Sequence, residues 1–473
     1  MSYLSYLTLL PPMLLGILFT AWLLLPTRKA NLLLVTSLGI PIGFGISSCL
    51  LFLWFYVFNP NKPGFFFLEF GLIACLAFLL WRQKVVSFQF FTGFLKEKDK
   101  VQWILGVISL TIAVIGIATF INYVNINPHG RYDAWAIWNV RARMLARAGE
   151  QWKSVFIPQV FHADYPLLLP LTIARSWLQS GTESMRIPSA VAGLFTFTCA
   201  GILTGCLITL KRWNQGWLAA IVFLSTPWVI FFGSLQFADI PLAAFILAAS
   251  ACLCLALANV DNPSAWLVLA GLCAGLAGWT KNEGQLFLLM FIMVASGMIL
   301  TIFHKRHFPG KLLQLGIGLL LPVLVILFFK FTLAPTNDVV NTGDLSPTVT
   351  ALLSPVRYHE VINGLIAYPK GFGGWSVPIP AIVLSIGLLL WPHIQKERIP
   401  SLASISLLLI LQWIGYFLIY VITPHQIQVH INQSYDRLLM QLYPTFLLLV
   451  FVAIRPIEEL FNNIKTNSSP PAV

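Results

Sequence analysis

The chain has 473 residues, of which 58% are hydrophobic and only 10% are charged. Because soluble domains carry roughly 25% charged residues and the mean hydropathy of the whole chain is +0.81, the composition excludes both a soluble protein and a soluble domain with one anchor. The net charge of +12 does not indicate a nucleic-acid partner, since the basic residues are scattered between apolar runs and line no single polar face.

Apolar stretches of about 20 residues, the length that a helix needs to cross a bilayer, recur along the whole chain. We therefore predict an all-α polytopic fold with about 13 transmembrane helices. Their approximate positions are 4–25, 31–57, 65–81, 102–123, 188–210, 216–233, 239–258, 264–280, 285–303, 313–333, 375–392, 401–423 and 438–454. The first run is not preceded by a basic segment, which favours a retained helix over a cleaved signal peptide.

Basic residues follow the odd-numbered predicted helices, and this asymmetry indicates the orientation because cytoplasmic loops are enriched in Lys and Arg. The residues concerned are Arg28, Lys29, Arg82, Lys84, Lys96, Lys98, Lys100, Lys211, Arg212, Lys305, Arg306, Lys311, Lys396, Arg398, Arg455 and Lys465. The N-terminus is therefore predicted to lie outside and the C-terminus inside. Two long polar loops, 124–187 and 334–374, then both face away from the cytoplasm. A bacterial inner membrane with the active site on the periplasmic or exterior side suits this pattern.

The first external loop carries two segments that the sequence predicts to be helical. Trp138 and Leu145 form an apolar stripe, with Arg141, Arg143 and Arg147 on the side expected to be wetter. A helix of this kind, rich in Trp and Arg, is typical of the membrane interface. The Pro-broken stretch "HADYPLLLPLTIARSW" is too short to span and predicts a second interfacial or re-entrant helix.

Ionisable residues at membrane depth are costly and are candidate functional residues. Asp133 follows the fourth predicted span, Asp239 opens the seventh, Lys281 and Glu283 separate two spans, and Arg437 opens the last one. Simpler roles are also open: the two aspartates could be helix caps, Lys281 and Glu283 a mutual ion pair or interfacial anchor, and Arg437 an anchor of its helix end.

Other polar residues of the external face are candidates for supporting roles. His162 and Asp164 have the spacing of a metal-binding pair, although a role in loop packing is the more common one for two such residues. Arg141 and His430 are further candidates on the same side of the membrane.

Acids, a lysine and an arginine at the outer ends of different spans form a set that lipid-linked sugar transfer requires. Cations hold the donor phosphate so that it can leave as an anion. One carboxylate takes the proton of the acceptor or orients the acceptor, and a second helps to position the acceptor or a divalent cation.

These residues resemble the glycosyltransferase C superfamily, especially its protein O-mannosyltransferase and lipid A aminoarabinose transferase branch. The resemblance covers about residues 102–300 and the last 50 residues. Its elements are an acid that opens the first external loop, the stretch "YPLLLPL", the element "ADIPLA", the segment "TKNEG", and Arg437 to Pro444 in the final helix.

The resemblance implies three regions: additional N-terminal helices in 1–100, a catalytic transmembrane core in 101–310, and C-terminal helices with a short disordered tail in 311–473. It also implies roles for the candidates. Asp133 and Asp239 are expected to be the catalytic acids, with a divalent metal ion as a candidate cofactor between them. Lys281 and Arg437 are expected to bind the phosphate of the donor. Apart from the resemblance, we expect supporting roles for Glu283, Arg141, His162, Asp164 and His430.

The function expected from this set is transfer of a sugar from a polyprenyl-phosphate donor to a glycan, lipid or protein on the non-cytoplasmic face. The expected partners are this donor, its acceptor and the membrane lipids, with no nucleic acid. Two alternatives stay open: a transporter or flippase of lipid-linked sugars, and a non-catalytic membrane subunit in which the acids are only caps.

Overall fold

The computed structural model describes residues 3–24, 30–58, 63–83, 100–259, 261–303, 307–337, 344–368, 372–375, 385 and 395–455. This part of the chain is helical throughout, apart from short connections. In chain order the helices are α1 (Leu10–Leu24), α2 (Leu32–Phe58), α3 (Gly64–Arg82), α4 (Lys100–Ile126), α5 (Asn139–Arg147), α6 (Leu168–Ser180), α7 (Arg186–Thr209), α8 (Trp213–Leu224), α9 (Pro227–Ser234), α10 (Asp239–Ala258), α11 (Ser264–Thr280), α12 (Asn282–Ile302), α13 (Phe308–Thr332), α14 (Ser346–Leu352), α15 (Pro355–Ala367), α16 (Ile399–Ile422) and α17 (Ile427–Ala453).

Ten helices in the described part of the chain are long and apolar enough to cross a membrane. They are Leu4–Leu24, which joins a short 3-10 segment to α1, and Leu32–Phe58, Gly64–Arg82, Lys100–Ile126, Arg186–Thr209, Asp239–Ala258, Asn282–Ile302, Phe308–Thr332, Lys396–Ile422 and Ile427–Ala453. The prediction of an all-α, multi-pass membrane protein is confirmed at this level.

Three of the predicted spans differ from the observed helices. Predicted span 216–233 is two helices, α8 and α9, that meet at 62°. The break lies at Thr226, which is extended because the following Pro227 disfavours a helical residue before it. Predicted span 264–280 is the short helix α11, and the last span begins earlier than predicted, at Ile427.

Several predicted features lie outside the described residues. These are the span 375–392 apart from its residues 375 and 385, the C-terminal tail, and the flanking residues Arg28, Lys29, Lys84, Lys96, Lys98, Lys305, Arg306 and Lys465.

Helix α10 forms the centre of the bundle, and its apolar segment is buried along its whole length. It packs against α7, α11, α16 and α17. Close approach of backbones supports the neighbouring contact between α11 and α13: a Cβ atom on Gly318 would lie 2.0 Å from the carbonyl oxygen of Val268. Small residues of this kind let membrane helices pack at short distance, so α11 and α13 approach each other closely at this contact.

The loop 124–187 folds onto this bundle. Trp138 and Leu145 of its first helical segment are fully buried, as the apolar stripe predicted. The prediction that Arg141 lies on the wetter side is wrong, because its side chain is also fully buried. Its guanidinium donates to the carbonyl oxygens of Phe161, His162 and Tyr165. A buried arginine is tolerated here because the loop itself provides its acceptors.

Candidate functional site

Asp239 is the centre of an ionic network at the start of α10. Its side chain is only 1% exposed, and its carboxylate accepts hydrogen bonds from three residues of other helices. Oδ1 lies 3.0 Å from Nζ of Lys281 and 2.5 Å from Nε2 of Gln441. Oδ2 lies 2.9 Å from Nε of Arg437. The position in the first helical turn adds a favourable interaction with the helix dipole, and four donors make the burial of this charge tolerable.

Arg437 joins the buried part of the network to its accessible part. One NH2 group lies 2.9 Å from Oδ2 of Asp239 and 2.6 Å from Oδ2 of Asp133. The guanidinium also lies over the ring of Phe237, 4.8 Å from its centroid, a cation–π contact that fixes its plane. Arg437 therefore bridges the two candidate catalytic acids, which are far apart in sequence.

Lys281 lies at the junction of α11 and α12, where one extended residue separates the two helices. Its ammonium is 3.0 Å from Asp239 and 2.7 Å from Oε1 of Glu283. The mutual ion pair with Glu283, which the sequence left open, is present, and the contact with Asp239 adds a second carboxylate. Lys281 is thus held in the network with a 5% exposed side chain.

Access to solvent increases outward through this network. The side chains of Asp239, Lys281, Glu283, Arg437 and Asp133 are 1%, 5%, 15%, 18% and 19% exposed. The last four line a cavity of about 840 Å³, whereas Asp239 lies beneath it. The side chain of Asp133 makes no capping hydrogen bond to the π-helical turn Ala134–Trp138 that follows it. Asp133 is therefore placed at the cavity as the outermost acid of the network.

Two kinds of wall enclose the cavity. The loop 124–187 contributes the aromatic residues Tyr132, Phe161, His162 and Tyr165. The first half of α17 contributes mainly polar side chains, which are Gln426, His430, Gln433, Ser434 and Asp436. His430, a predicted supporting residue, lies on this wall, and its Nδ1 is 2.9 Å from the hydroxyl of Thr423.

Asp164 belongs to a second polar cluster beside the cavity. Its Oδ2 accepts hydrogen bonds from the side-chain amides of Asn282 and Asn337, both at 2.7 Å. Lys330 donates to the backbone carbonyl of Asp164 at 2.8 Å and to Asn282 at 2.9 Å. The cluster ties the loop to the start of α12, directly beside Lys281. Asp164 therefore has the hydrogen-bonding and packing role within the loop that the sequence left open.

His162 has a different position from Asp164, despite the spacing that suggested a metal pair. His162 lines the cavity, and its backbone has a left-handed φ of 52°, which is uncommon for a residue other than glycine. Arg141 donates to its carbonyl oxygen and helps to hold this conformation. Burial lowers the pKa of Arg141 to about 10, and the charge of Asp164 partly offsets this effect, so Arg141 stays cationic at neutral pH.

A divalent cation shared by Asp133 and Asp239 would have to lie between their carboxylates. The guanidinium of Arg437 occupies this position and contacts both acids. In the part of the chain that the structure describes, no three His, Cys, Asp or Glu side chains are grouped so as to hold a metal ion. The donor set does not fit a bridging metal, and the reaction proposed below involves none.

Sequence reasoning missed several residues of the site. Gln441 was detectable, because it lies four residues after Arg437 and therefore on the same helix face. Lys330, a single cation near the end of an apolar run, was also a signal by the rule that found Lys281. Asp436 and Phe237 carried no signal beyond their neighbours, since only the folded chain places them at the cavity.

In comparisons with known proteins, no family model matches the chain, and neither a curated protein nor a solved structure is similar to it.

Proposed function

We propose that the chain is a membrane glycosyltransferase of the glycosyltransferase C type. It transfers a sugar from a polyprenyl-phosphate donor to a glycan, lipid or protein acceptor on the non-cytoplasmic face of a bacterial inner membrane. One observation carries the proposal: a partly accessible carboxylate, Asp133, and two cations, Lys281 and Arg437, line one cavity at the ends of membrane helices.

Charge balance decides how such a site receives a phosphate. Lys281 and Arg437 are paired with the three carboxylates Asp133, Asp239 and Glu283. An incoming phosphate must therefore replace a carboxylate at each cation that it contacts. Asp239 is buried and holds both cations, so it stays in place. Asp133 and Glu283 are the more exposed partners, and they are the ones that the phosphate displaces.

This exchange also frees the base. While Asp133 is paired with Arg437, its Oδ2 is engaged with the NH2 group of the guanidinium. When the donor phosphate takes this NH2 group, Oδ2 of Asp133 becomes available to accept the proton of the acceptor hydroxyl.

The reaction is a displacement at the anomeric carbon of the sugar. The acceptor hydroxyl oxygen forms a bond to this carbon as the bond from the carbon to the phosphate oxygen breaks. The electron pair of the broken bond stays on the phosphate, which Lys281 and Arg437 stabilise, and the hydroxyl proton goes to Asp133. Attack opposite the leaving phosphate inverts the configuration. Asp239 positions the two cations without contacting the substrate.

The test measures label transfer from radiolabelled polyprenyl-phosphate hexoses, pentoses and aminosugars in membranes that contain the protein. The Asp133→Asn variant keeps the size of the side chain and is expected to transfer about 10²- to 10⁴-fold more slowly, the range for loss of a general base. The matched control is Asp261→Asn, an exposed acid at the other end of α10, which should transfer like the wild type. Equal transfer by wild type and Asp133→Asn would contradict the proposal.

The same membranes separate the two alternatives. If label crosses sealed vesicles without joining an acceptor, the chain is a transporter of lipid-linked sugars. If neither transfer nor transport occurs with any of these donors, a non-catalytic subunit is the better description.

A further inference from the structure

The cavity has more hydrogen-bond acceptors than its own donors satisfy. Two carboxylates in its lining, those of Glu283 and Asp436, each have one shielded oxygen with no hydrogen-bond partner among the described residues: Oε2 of Glu283 and Oδ1 of Asp436. A shielded polar atom without a partner costs about 1–3 kcal/mol, and native structures contain few of them. Such atoms at a cavity indicate acceptors that a ligand satisfies.

Asp436 is the more informative of the two because it pairs with no cation in the described part of the chain. It accepts a hydrogen bond from the hydroxyl of Tyr368 at the end of α15. Tyr368 also packs edge-on against Tyr435, at 5.3 Å between ring centroids. Burial, and then Asp436, raise the pKa of Tyr368, so this hydroxyl remains a donor at neutral pH. Asp436 is thereby anchored by Tyr368, and it lines the cavity without a cation partner among the described residues.

The position of Asp436 relative to the cations indicates which part of a ligand it would meet. Asp436 directly precedes Arg437 on α17, and although consecutive helical side chains diverge by about 100°, both residues line the same cavity. A ligand whose phosphate is bound at Arg437 therefore occupies the cavity that Asp436 lines. Gln433 and Ser434 also line the cavity. Their neutral side chains can form further hydrogen bonds with hydroxyl groups of a ligand, in addition to those of Asp436.

Aromatic residues line the cavity together with these polar groups. They are Phe161, His162 and Tyr165 of the loop 124–187, and His162 and Tyr165 are stacked at 4.6 Å between ring centroids. A sugar ring has apolar C–H faces and an edge of hydroxyl donors. A lining that combines aromatic residues with hydrogen-bond acceptors suits both of these surfaces.

We propose that Asp436 is a specificity-determining residue that accepts a hydrogen bond from a hydroxyl of the sugar in a lipid-phosphate sugar bound at Arg437. The proposal deepens the proposed function, since it assigns the sugar subsite of the same cavity. It concerns binding alone, so it does not require that transfer occurs.

The test is equilibrium binding to the purified full chain in detergent. The probes are short-chain polyprenyl phosphates that carry glucose, galactose, mannose or arabinose, beside the bare polyprenyl phosphate. The wild type is expected to bind at least one sugar-bearing probe about tenfold or more tighter than the bare one. Asp436→Ala should remove this advantage while it leaves the affinity for the bare probe unchanged, which also shows that the variant is folded. Asp261→Ala is the control and should behave like the wild type.

Two results would overturn the assignment of Asp436. One is equal affinity of the wild type for bare and sugar-bearing probes. The other is an Asp436→Ala variant that keeps the full advantage of the sugar, or that loses affinity for both probes alike. A wild type that binds the sugar through Asp436 but transfers none of it would instead contradict the proposed function and leave this subsite in place.

Discussion

Two buried acids of the same chain, Glu69 and Asp239, show what separates a structural ion pair from a candidate site. Each is 1% exposed and receives hydrogen bonds from an arginine of another helix. The Arg175 partner of Glu69 is itself 1% exposed, and Ser47 donates to the same carboxylate at 2.7 Å. Arg437, the partner of Asp239, is 18% exposed and continues to Asp133 at the cavity. Burial of a charge in a membrane bundle is therefore common to both, and access to a cavity distinguishes the second.

The largest effect is expected when the fully buried ion pair of Glu69 and Arg175 is broken. Glu69→Ala leaves the Arg175 guanidinium buried without its carboxylate, and loss of one member of a buried ion pair destabilises by about 3–5 kcal/mol. We expect a large drop in the thermal midpoint in detergent and a low yield of folded protein. The double variant Glu69→Met/Arg175→Met should recover most of the stability, because replacing both partners by apolar groups is often neutral. A Glu69→Ala variant as stable as the wild type would show that the ion pair of Glu69 and Arg175 does not stabilise the fold.

Substitutions in the network of Asp239, Arg437 and Asp133, which reaches the cavity, should lower the rate of sugar transfer more than the stability of the fold. Arg437→Lys keeps the charge but loses the planar fork that contacts Asp133 and Asp239 together. We expect kcat/KM for sugar transfer to fall about tenfold to a hundredfold, or about 1.4–2.7 kcal/mol, with little change in the thermal midpoint. Arg82→Lys at the exposed end of α3 is the matched control and should leave both quantities unchanged. A drop in stability without a drop in kcat/KM would make Arg437 a structural residue like Arg175.

Hydropathy and charge identify four residues of the network from the sequence alone, because each of them interrupts or follows an apolar run. These residues are Asp133, Asp239, Lys281 and Arg437. The sequence could not show that one arginine bridges both acids, because Arg437 and Asp239 are 198 positions apart. The error at Arg141 has a related cause. Its acceptors are carbonyl oxygens 20 to 24 residues later, and helical periodicity contains no information about them. The break before Pro227 follows from local chemistry, because a proline disfavours a helical residue before it, whereas hydropathy alone predicts one span over 216–233.

The Asp164 cluster lies between the two cases, since it is buried but touches the element that carries Lys281. Asp164→Ala leaves the side-chain amides of Asn282 and Asn337 without their shared acceptor, at a cost of about 1–3 kcal/mol. We expect a moderate fall in the thermal midpoint together with a severalfold rise in KM, because the cavity wall at His162 loses its anchor. Asp164→Asn retains one carbonyl acceptor and should recover part of both effects. If KM stays constant while stability falls, the cluster belongs with Glu69 and Arg175.

The smallest effect is expected at the exposed ion pairs of the external loop. Glu183 accepts hydrogen bonds from Arg147 at 2.5 Å and from Arg143 at 2.8 Å, and the bond from Arg147 is the main cause that holds the pKa of Glu183 below its ordinary value of 4.5. A carboxylate with a lowered pKa in the folded state contributes stability above its ordinary pKa and loses this contribution as the pH falls through the lowered value. Between pH 6 and pH 3 the thermal midpoint of the wild type should therefore decrease slightly more than that of Glu183→Gln. This difference should shrink in high salt, because solvent and ions screen exposed ion pairs. Equal pH dependence of the two proteins would show that these ion pairs contribute nothing to stability. A large difference would mean that charge, and not the buried contacts of Trp138 and Leu145, holds the loop 124–187 in place.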